Sequence, residues 1–314
     1  MVVLRIMSLA LLTASLQPAN ARQVAYAQEP VIRFRSGVEL VRVNTVVRDR
    51  RGRFVTGLTA KDFDVRDRGV SRPILSTEPD RAAVSLALLF DISGSMEGRQ
   101  EWARETGTHV LGGLDEADEA AVFTFDTRLE EVAAFASGRT QLPDELTGVR
   151  PFGATSLHDA IARTAERLAG REGRRRAVVV LTDGADTASR LTPGEVSSIA
   201  SAIDAPVYIV GLVPGIDDPT RDDDVRTAPD SALTGSLADL AAWTGGRVLV
   251  ATTPVARSLA AQSIVEELRQ QYVIVFEAGD PLGWHPLEIR VRDERLVVQA
   301  RTGYVSGRRV PNSQ

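Results

Sequence analysis

The sequence predicts an α/β fold: a doubly wound, mostly parallel sheet inserted into a small discontinuous β domain. Three observations carry this reading. Continuously apolar runs, "VSLALLF" at 84–90 and "AVVVLT" at 177–182, mark strands buried on both faces of a parallel sheet. Helical stripes stand between such runs, and strands alternating with helices argue for a doubly wound domain. Short runs with period-two alternation lie at both ends of the chain and not in its middle.

The elements follow in order. "VELVRVNTVVRD" is rich in β-branched residues, and "RRGR" follows as a turn signal. "FVTG", "DFDVRDRG" and "RPIL" continue the β pattern, with Phe63 and Val65 alternating with Asp62, Asp64 and Arg66. From about residue 83 the pattern changes. "VSLALLF" is a strand, 97–112 a helix, and "EAAVFTF" a strand. "SLHDAIARTAERLAG" places Leu157, Ile161, Ala165 and Leu168 on one helical stripe that ends near Gly170. "RAVVVLTD" is a strand. "TPGEVSSIASAI" is a helix with Thr192 as N-cap and Pro193 in its first turn. "PVYIVGL" and "RVLVA" are strands, "SLADLAAWTGG" a helix closed by glycine, and "PVARSLAAQSIVEELRQQ" a long helix. After Gln271 the β pattern returns in "YVIVFEA", "HPLEIRVRD" and "RLVVQARTGYV".

Each β end has only about 40 residues, too few for a stable core. The expectation is therefore that they pair into one sandwich; two unrelated β appendages are the alternative. The boundaries read this way are 1–27 for a leader, 30–80 and 272–306 for the two β parts, 83–271 for the α/β domain, and 307–314 for a tail.

Composition excludes several classes. Hydrophobic residues make up 43% and charged residues 25%, the proportions of a soluble globular protein. A net charge of −5 argues against a non-specific nucleic-acid binder, so no nucleic-acid partner is expected. The basic residues are arginines apart from Lys61. The absence of cysteine removes disulfides, zinc–thiolate sites, iron–sulfur clusters, cysteine catalysis and lipid attachment through an N-terminal cysteine.

The N-terminus speaks to compartment. Arg5 precedes an apolar run from Ile6 to Leu16, and two small-x-small sites follow, Ala19-Asn20-Ala21 and Ala25-Tyr26-Ala27. This is the pattern of a secretory signal peptide. The apolar run is short for a span of about 20 residues, so cleavage is favoured over a retained anchor. An exported protein, periplasmic or secreted and without a membrane span, is expected.

In an open α/β sheet, ligands bind outside the carboxyl ends of the strands, where strand order reverses. After "LALLF" come Asp91, Ser93 and Ser95; after "AVVVLT" comes Asp183. A third polar loop, "PFGATSLHD", offers Thr155. Hydrolytic patterns fit poorly. "GSMEG" places its serine one position too early for a nucleophile elbow. The only histidines, His109, His158 and His285, do not follow strands in a triad position, and His158 reads as a solvated or capping residue in a first helical turn. A phosphate loop needs a Gly-Lys pair that is missing.

A hard-metal site fits better. Mg²⁺ takes about six oxygens and tolerates bound water. Alternate positions of an extended loop point the same way, so Asp91, Ser93 and Ser95 can converge, with Gly94 allowing a tight turn. Thr155 and Asp183 would complete five oxygens with only two negative charges. Singly, each residue also reads as a helix cap or a turn; jointly, all five lie at sheet carboxyl ends. Asp126 and Asp186, near strand ends, are candidates for an outer role. The acidic stretch at 215–230 lacks the spacing of a calcium loop, and "GREGRRR" at 170–176 reads as a turn with exposed arginines.

"DISGSM", "GATSLHDA" and "LTDGADT" resemble the three loops of a metal-ion-dependent adhesion site in a von Willebrand factor type A domain, over roughly 83–271. The flanks "GLTAKDFDVRDRG" and "ARTGYV" resemble a bacterial group of secreted proteins that set such a domain between β segments. The resemblance implies a Rossmann-like fold, binding of Mg²⁺ (or Mn²⁺ or Ca²⁺), and protein–protein recognition or adhesion without catalysis. The partner would offer an Asp or Glu carboxylate to the metal. A metal-assisted hydrolase and a structural module of an envelope assembly are the alternatives.

Overall fold

The computed structural model describes residues 39–171, 173–215, 233 and 235–307. The expected leader at 1–27, the acidic stretch beyond Gly215 and the tail beyond Gly307 lie outside them.

The first segment supplies four strands: Leu40–Asp49 (β1), Phe63–Asp67 (β2), Val70–Arg72 (β3) and Ile74–Pro79 (β4). Their alternation decides their facing. In β2, Phe63, Val65 and Asp67 are buried while Asp64 and Arg66 are partly exposed. The last segment supplies Gln271–Glu277 (β11), Gly283–Val291 (β12), Leu296–Ala300 (β13) and Gly303–Ser306 (β14). The two segments interleave. One sheet has the order β13-β1-β11-β4 and the other β14-β12-β2-β3. Val43, Phe63, Val65, Ile274, Phe276 and Leu287 fill the space between them. Burial of each such side chain contributes about 1.5–3 kcal/mol, so neither segment holds a core without the other.

Between β4 and β11 lies the α/β domain. Its strands are Val84–Asp91 (β5), Glu119–Phe125 (β6), Leu129–Ser137 (β7), Arg175–Thr182 (β8), Val207–Gly211 (β9) and Val248–Val250 (β10). Its helices are Gln100–Gly112 (α1), Leu157–Leu168 (α2), Pro193–Ala202 (α3), Ser236–Thr244 (α4) and Pro254–Arg269 (α5). The sheet order is β10-β9-β8-β5-β6-β7. All neighbours pair in parallel except β6 and β7.

The unbroken apolar runs have a simple cause. Ala87 and Leu89 of β5 face one core, with α2, α3 and α4. Leu86, Leu88 and Phe90 face the other, with α1 and α5. Both faces are covered, so β5 is unbroken apolar from Leu86 to Phe90. The helix signals also act as expected. Thr192 caps α3 by accepting from Glu195 N, and the Glu195 carboxylate accepts back from Thr192 N. Gly245 closes α4 at φ +87°, a conformation that strains residues with a Cβ. Among the described residues, no helix is long and apolar enough to cross a membrane.

β6 lies on one side of β5 and β8 on the other, so the chain reverses its direction of travel between β5 and β8. That seam is where a ligand site is expected in this class of sheet.

Candidate functional site

The three polar loops meet at the carboxyl ends of β5 and β8. Asp91 ends β5 and is fully buried. Its Oδ1 accepts from Ser93 N at 2.9 Å, which curls the loop back over the strand end. Its Oδ2 accepts from Thr182 Oγ1 at 2.6 Å, across the seam to β8. Burial pushes the Asp91 carboxyl up to about 6, although hydrogen bonds from Ser93 and Thr182 oppose the rise. A buried carboxylate held against its own desolvation calls for a nearby positive charge.

Ser93 Oγ and Ser95 Oγ lie 3.1 Å apart, and Ser95 Oγ donates to Asp183 Oδ1 at 3.2 Å. Three oxygens from two loops are thus lined up. Adjacent oxygens around a six-coordinate Mg²⁺ with bonds of 2.0–2.1 Å stand about 3 Å apart, so this spacing fits a hard cation. Among the described residues, no three histidine, aspartate or glutamate side chains form a metal-binding group. A cation here would depend on hydroxyls.

Thr155 lies in the second loop, just before α2. It is buried, and its backbone is fastened to the third loop. Thr155 N donates to Thr187 Oγ1, and its carbonyl accepts from Thr187 N and Ala188 N. The first and second loops are joined by Gly94 N to Gly153 O at 3.0 Å and by Phe152 N to Ile92 O at 3.0 Å. Gly94 serves close approach rather than a turn, since a Cβ there would lie 3.3 Å from Gly153 O.

The outer candidates act on the loops, not on the oxygen row. Asp126 accepts from Arg128 N in its own turn, and its carbonyl receives Ser156 N. Asp186 accepts from Ser189 N and pairs with His158 Nδ1. His158 therefore corrects the sequence reading. It is buried, not solvated, and it ties α2 to the third loop. Its type gave no hint, because the partner lies 28 positions along the chain.

Two further residues escaped the sequence reading. Thr182, the last residue of β8, is one. The other is Arg99, whose Nη1 donates to Asp183 Oδ2 at 2.6 Å and to the Ser95 carbonyl at 3.1 Å. Arg99 stands four positions after Ser95 at the start of α1, so one turn of chain brings it back over the loop.

His285 also departs from expectation. Its Nδ1 meets Asp67 Oδ1 at 2.7 Å, and its Nε2 lies 3.0 Å from Ser306 Oγ. That is the connectivity of nucleophile, base and orienting acid. However, Nε2 is 2.6 Å from the Pro281 carbonyl, which only accepts. Nε2 is therefore a donor to that carbonyl and offers Ser306 no base. Tyr304 and Arg72 share Asp67 Oδ2, and the cluster pins the sheet of β2, β3, β12 and β14.

Residues 86–185 match the family model of the von Willebrand factor type A domain. A comparison with curated proteins returns no match. Among solved structures, the chain is similar to BatB from Bacteroides thetaiotaomicron, with 19% identity and a TM-score of 0.43 over 59% of this chain and 98% of that one. It is similar to a von Willebrand factor type A protein from Catenulispora acidiphila, with 12% identity and a TM-score of 0.47 over 87% and 76% of the two chains. The pilus adhesin SpaC from Lactobacillus rhamnosus GG matches with 11% identity and a TM-score of 0.46 over 77% and 47%.

Proposed function

We infer that this protein is exported and recognises a protein partner through one divalent cation at the β5–β8 seam. Asp91, Ser93, Ser95, Thr155 and Asp183 would hold the cation, Mg²⁺ or in its place Mn²⁺ or Ca²⁺. The observation that carries the reading is the row of Ser93 Oγ, Ser95 Oγ and Asp183 Oδ1 at 3.1 and 3.2 Å, beside a fully buried Asp91. The match of residues 86–185 to an interaction-domain family supports it.

A bound cation would supply a Lewis-acid position for an oxygen of the partner. The chain's own residues do the rest. Two carboxylates balance the charge of a dication and the hydroxyls add none, while Arg99 beside Asp183 supplies one further positive charge, so an acidic side chain is the partner group that fits. Thr182 holds Asp91 in place, and Arg99 holds Asp183.

Calorimetric titration of the metal-stripped protein with Mn²⁺ or Mg²⁺ tests the assignment. Saturable binding with a stoichiometry near one is expected, and Asp91→Ala should abolish it. Equal affinity in Asp91→Ala would sink the reading.

A further inference from the structure

We propose that Phe152 is the apolar anchor of this recognition site, and that the partner presents an aliphatic or aromatic side chain beside its acidic residue. The proposal deepens the metal–carboxylate reading and rests on it.

Phe152 is 82% exposed, more than any other large hydrophobic residue among those described. A single exposed apolar side chain ordinarily needs no explanation. Three further facts single this one out. It lies in the second loop, three residues before Thr155, so the two Cα atoms are within about 10 Å. Its backbone is also fixed. Phe152 N donates to Ile92 O, the residue between Asp91 and Ser93, and Ile92 N donates to Phe125 O at 2.9 Å. The next carbonyl, Gly153 O, receives Gly94 N. The ring is thus held out by a clamped loop, and a rigid aromatic gives contact area at low cost in ordering.

The third fact is charge. Arg128, Arg150 and Arg190 are exposed on the loops around the seam, against one exposed carboxylate on the first loop, Glu97, and Arg99 lies at its base. Such a rim favours an acidic segment over a basic one. An acidic residue seated at the seam then brings its chain neighbours over Phe152. A partner with an apolar residue there buries the ring, and one with a polar residue leaves it wet.

Selection of displayed random peptides on the full chain in Mn²⁺ tests this. The wild type should enrich Asp or Glu with an apolar residue within three positions. Phe152→Ser should keep the acidic preference and lose the apolar one, while Phe152→Leu keeps both. A peptide selected on the wild type should bind Phe152→Ser about 10-fold or more weakly. The substitution is at an exposed position, so an unchanged thermal transition will verify folding. Acidic enrichment with no apolar neighbour, or the same apolar enrichment on Phe152→Ser, overturns the anchor and spares the metal reading. Absence of acidic enrichment, or its persistence in EDTA, overturns the metal reading and this proposal with it.

Discussion

Thr182 Oγ1 donates to Asp91 Oδ2 at 2.6 Å, joining the ends of the two central strands. The same hydroxyl accepts from Gly184 N at 3.0 Å, so it also shapes the third loop. Thr182→Val keeps the shape and deletes both bonds. A buried carboxylate that loses a donor costs about 1.5–3 kcal/mol, measurable as a lower urea midpoint. Mn²⁺ affinity should fall with it. Thr182→Ser keeps the donor and should lose only about 1 kcal/mol, the worth of one buried methyl. Equal loss in the two variants would show that packing, not the bond, matters here.

Arg99 holds Asp183 through Oδ2, while Ser95 Oγ donates to Oδ1. A dication drawn to Asp183 meets this guanidinium, and like charges repel. Arg99→Gln should therefore tighten Mn²⁺ binding severalfold by calorimetry. Global stability should fall by about 1–3 kcal/mol, because the Asp183 carboxylate is largely buried and loses its charged partner. Weaker binding in the variant would mean that orientation of Asp183 outweighs repulsion.

His158 and Asp186 form one side-chain tie between α2 and the third loop; Asp159 Oδ1, which accepts from Arg190 N and Leu191 N, forms another. His158→Ala should leave Asp186 Oδ2 without this partner and loosen the loop around 184–186, while Thr155 and Asp159 still hold it from 187 to 191. Hydrogen exchange of these amides should accelerate more than that of β8. The stability cost should be about 1–3 kcal/mol. Uniform acceleration across the domain would instead indicate global destabilisation.

Tyr304 gives the sandwich a dependence on alkaline pH. Burial and the neighbouring Asp67 push its hydroxyl up to about 12 from the ordinary 10.0. The folded state therefore keeps a proton that the unfolded state loses. By linkage, this contribution is fully present below pH 10 and is lost as pH rises to about 12. Tyr304→Phe should flatten that stretch of the stability profile. It should also leave Asp67 Oδ2 one donor short, at a cost of about 1–3 kcal/mol. A wild-type tyrosinate absorbance titration completed near pH 10 would contradict the assignment.

The elements of the α/β domain were legible because burial on both faces writes itself as unbroken apolar strands. The positions of Asp91 and Asp183 at the ends of β5 and β8, with Ser93 and Ser95 just beyond, were legible for the same reason, as a sharp change from apolar to polar; Thr155 instead stands just before α2 and follows no strand directly. β7 was not. It is an edge strand with irregular register against β6 between Ala120 and Phe123, so its alternation is broken. Arg99, Thr182 and His158 were missed on other grounds. Each acts by direction and reach, and an arginine, a threonine or a histidine carries no local pattern that says where its side chain goes. The cluster of Asp67, His285 and Ser306 needed the pairing of strands more than 200 positions apart.

The way the α/β domain is attached carries one more consequence. It leaves from β4 and returns at β11, and these strands are neighbours: Pro79 pairs with Tyr272, and Asp80 N donates to Gln271 O at 2.8 Å. Its two ends are thus clipped together, and the sandwich also grips the flank of the domain, where Gln299 Nε2 donates to Gly245 O, Thr302 N donates to Trp243 O and Arg48 pairs with Glu267. A pull along the strands of the sandwich is therefore shared with α4 and α5 before β4 and β11 part. The loop after Asp91 stands the length of β5 away from that grip.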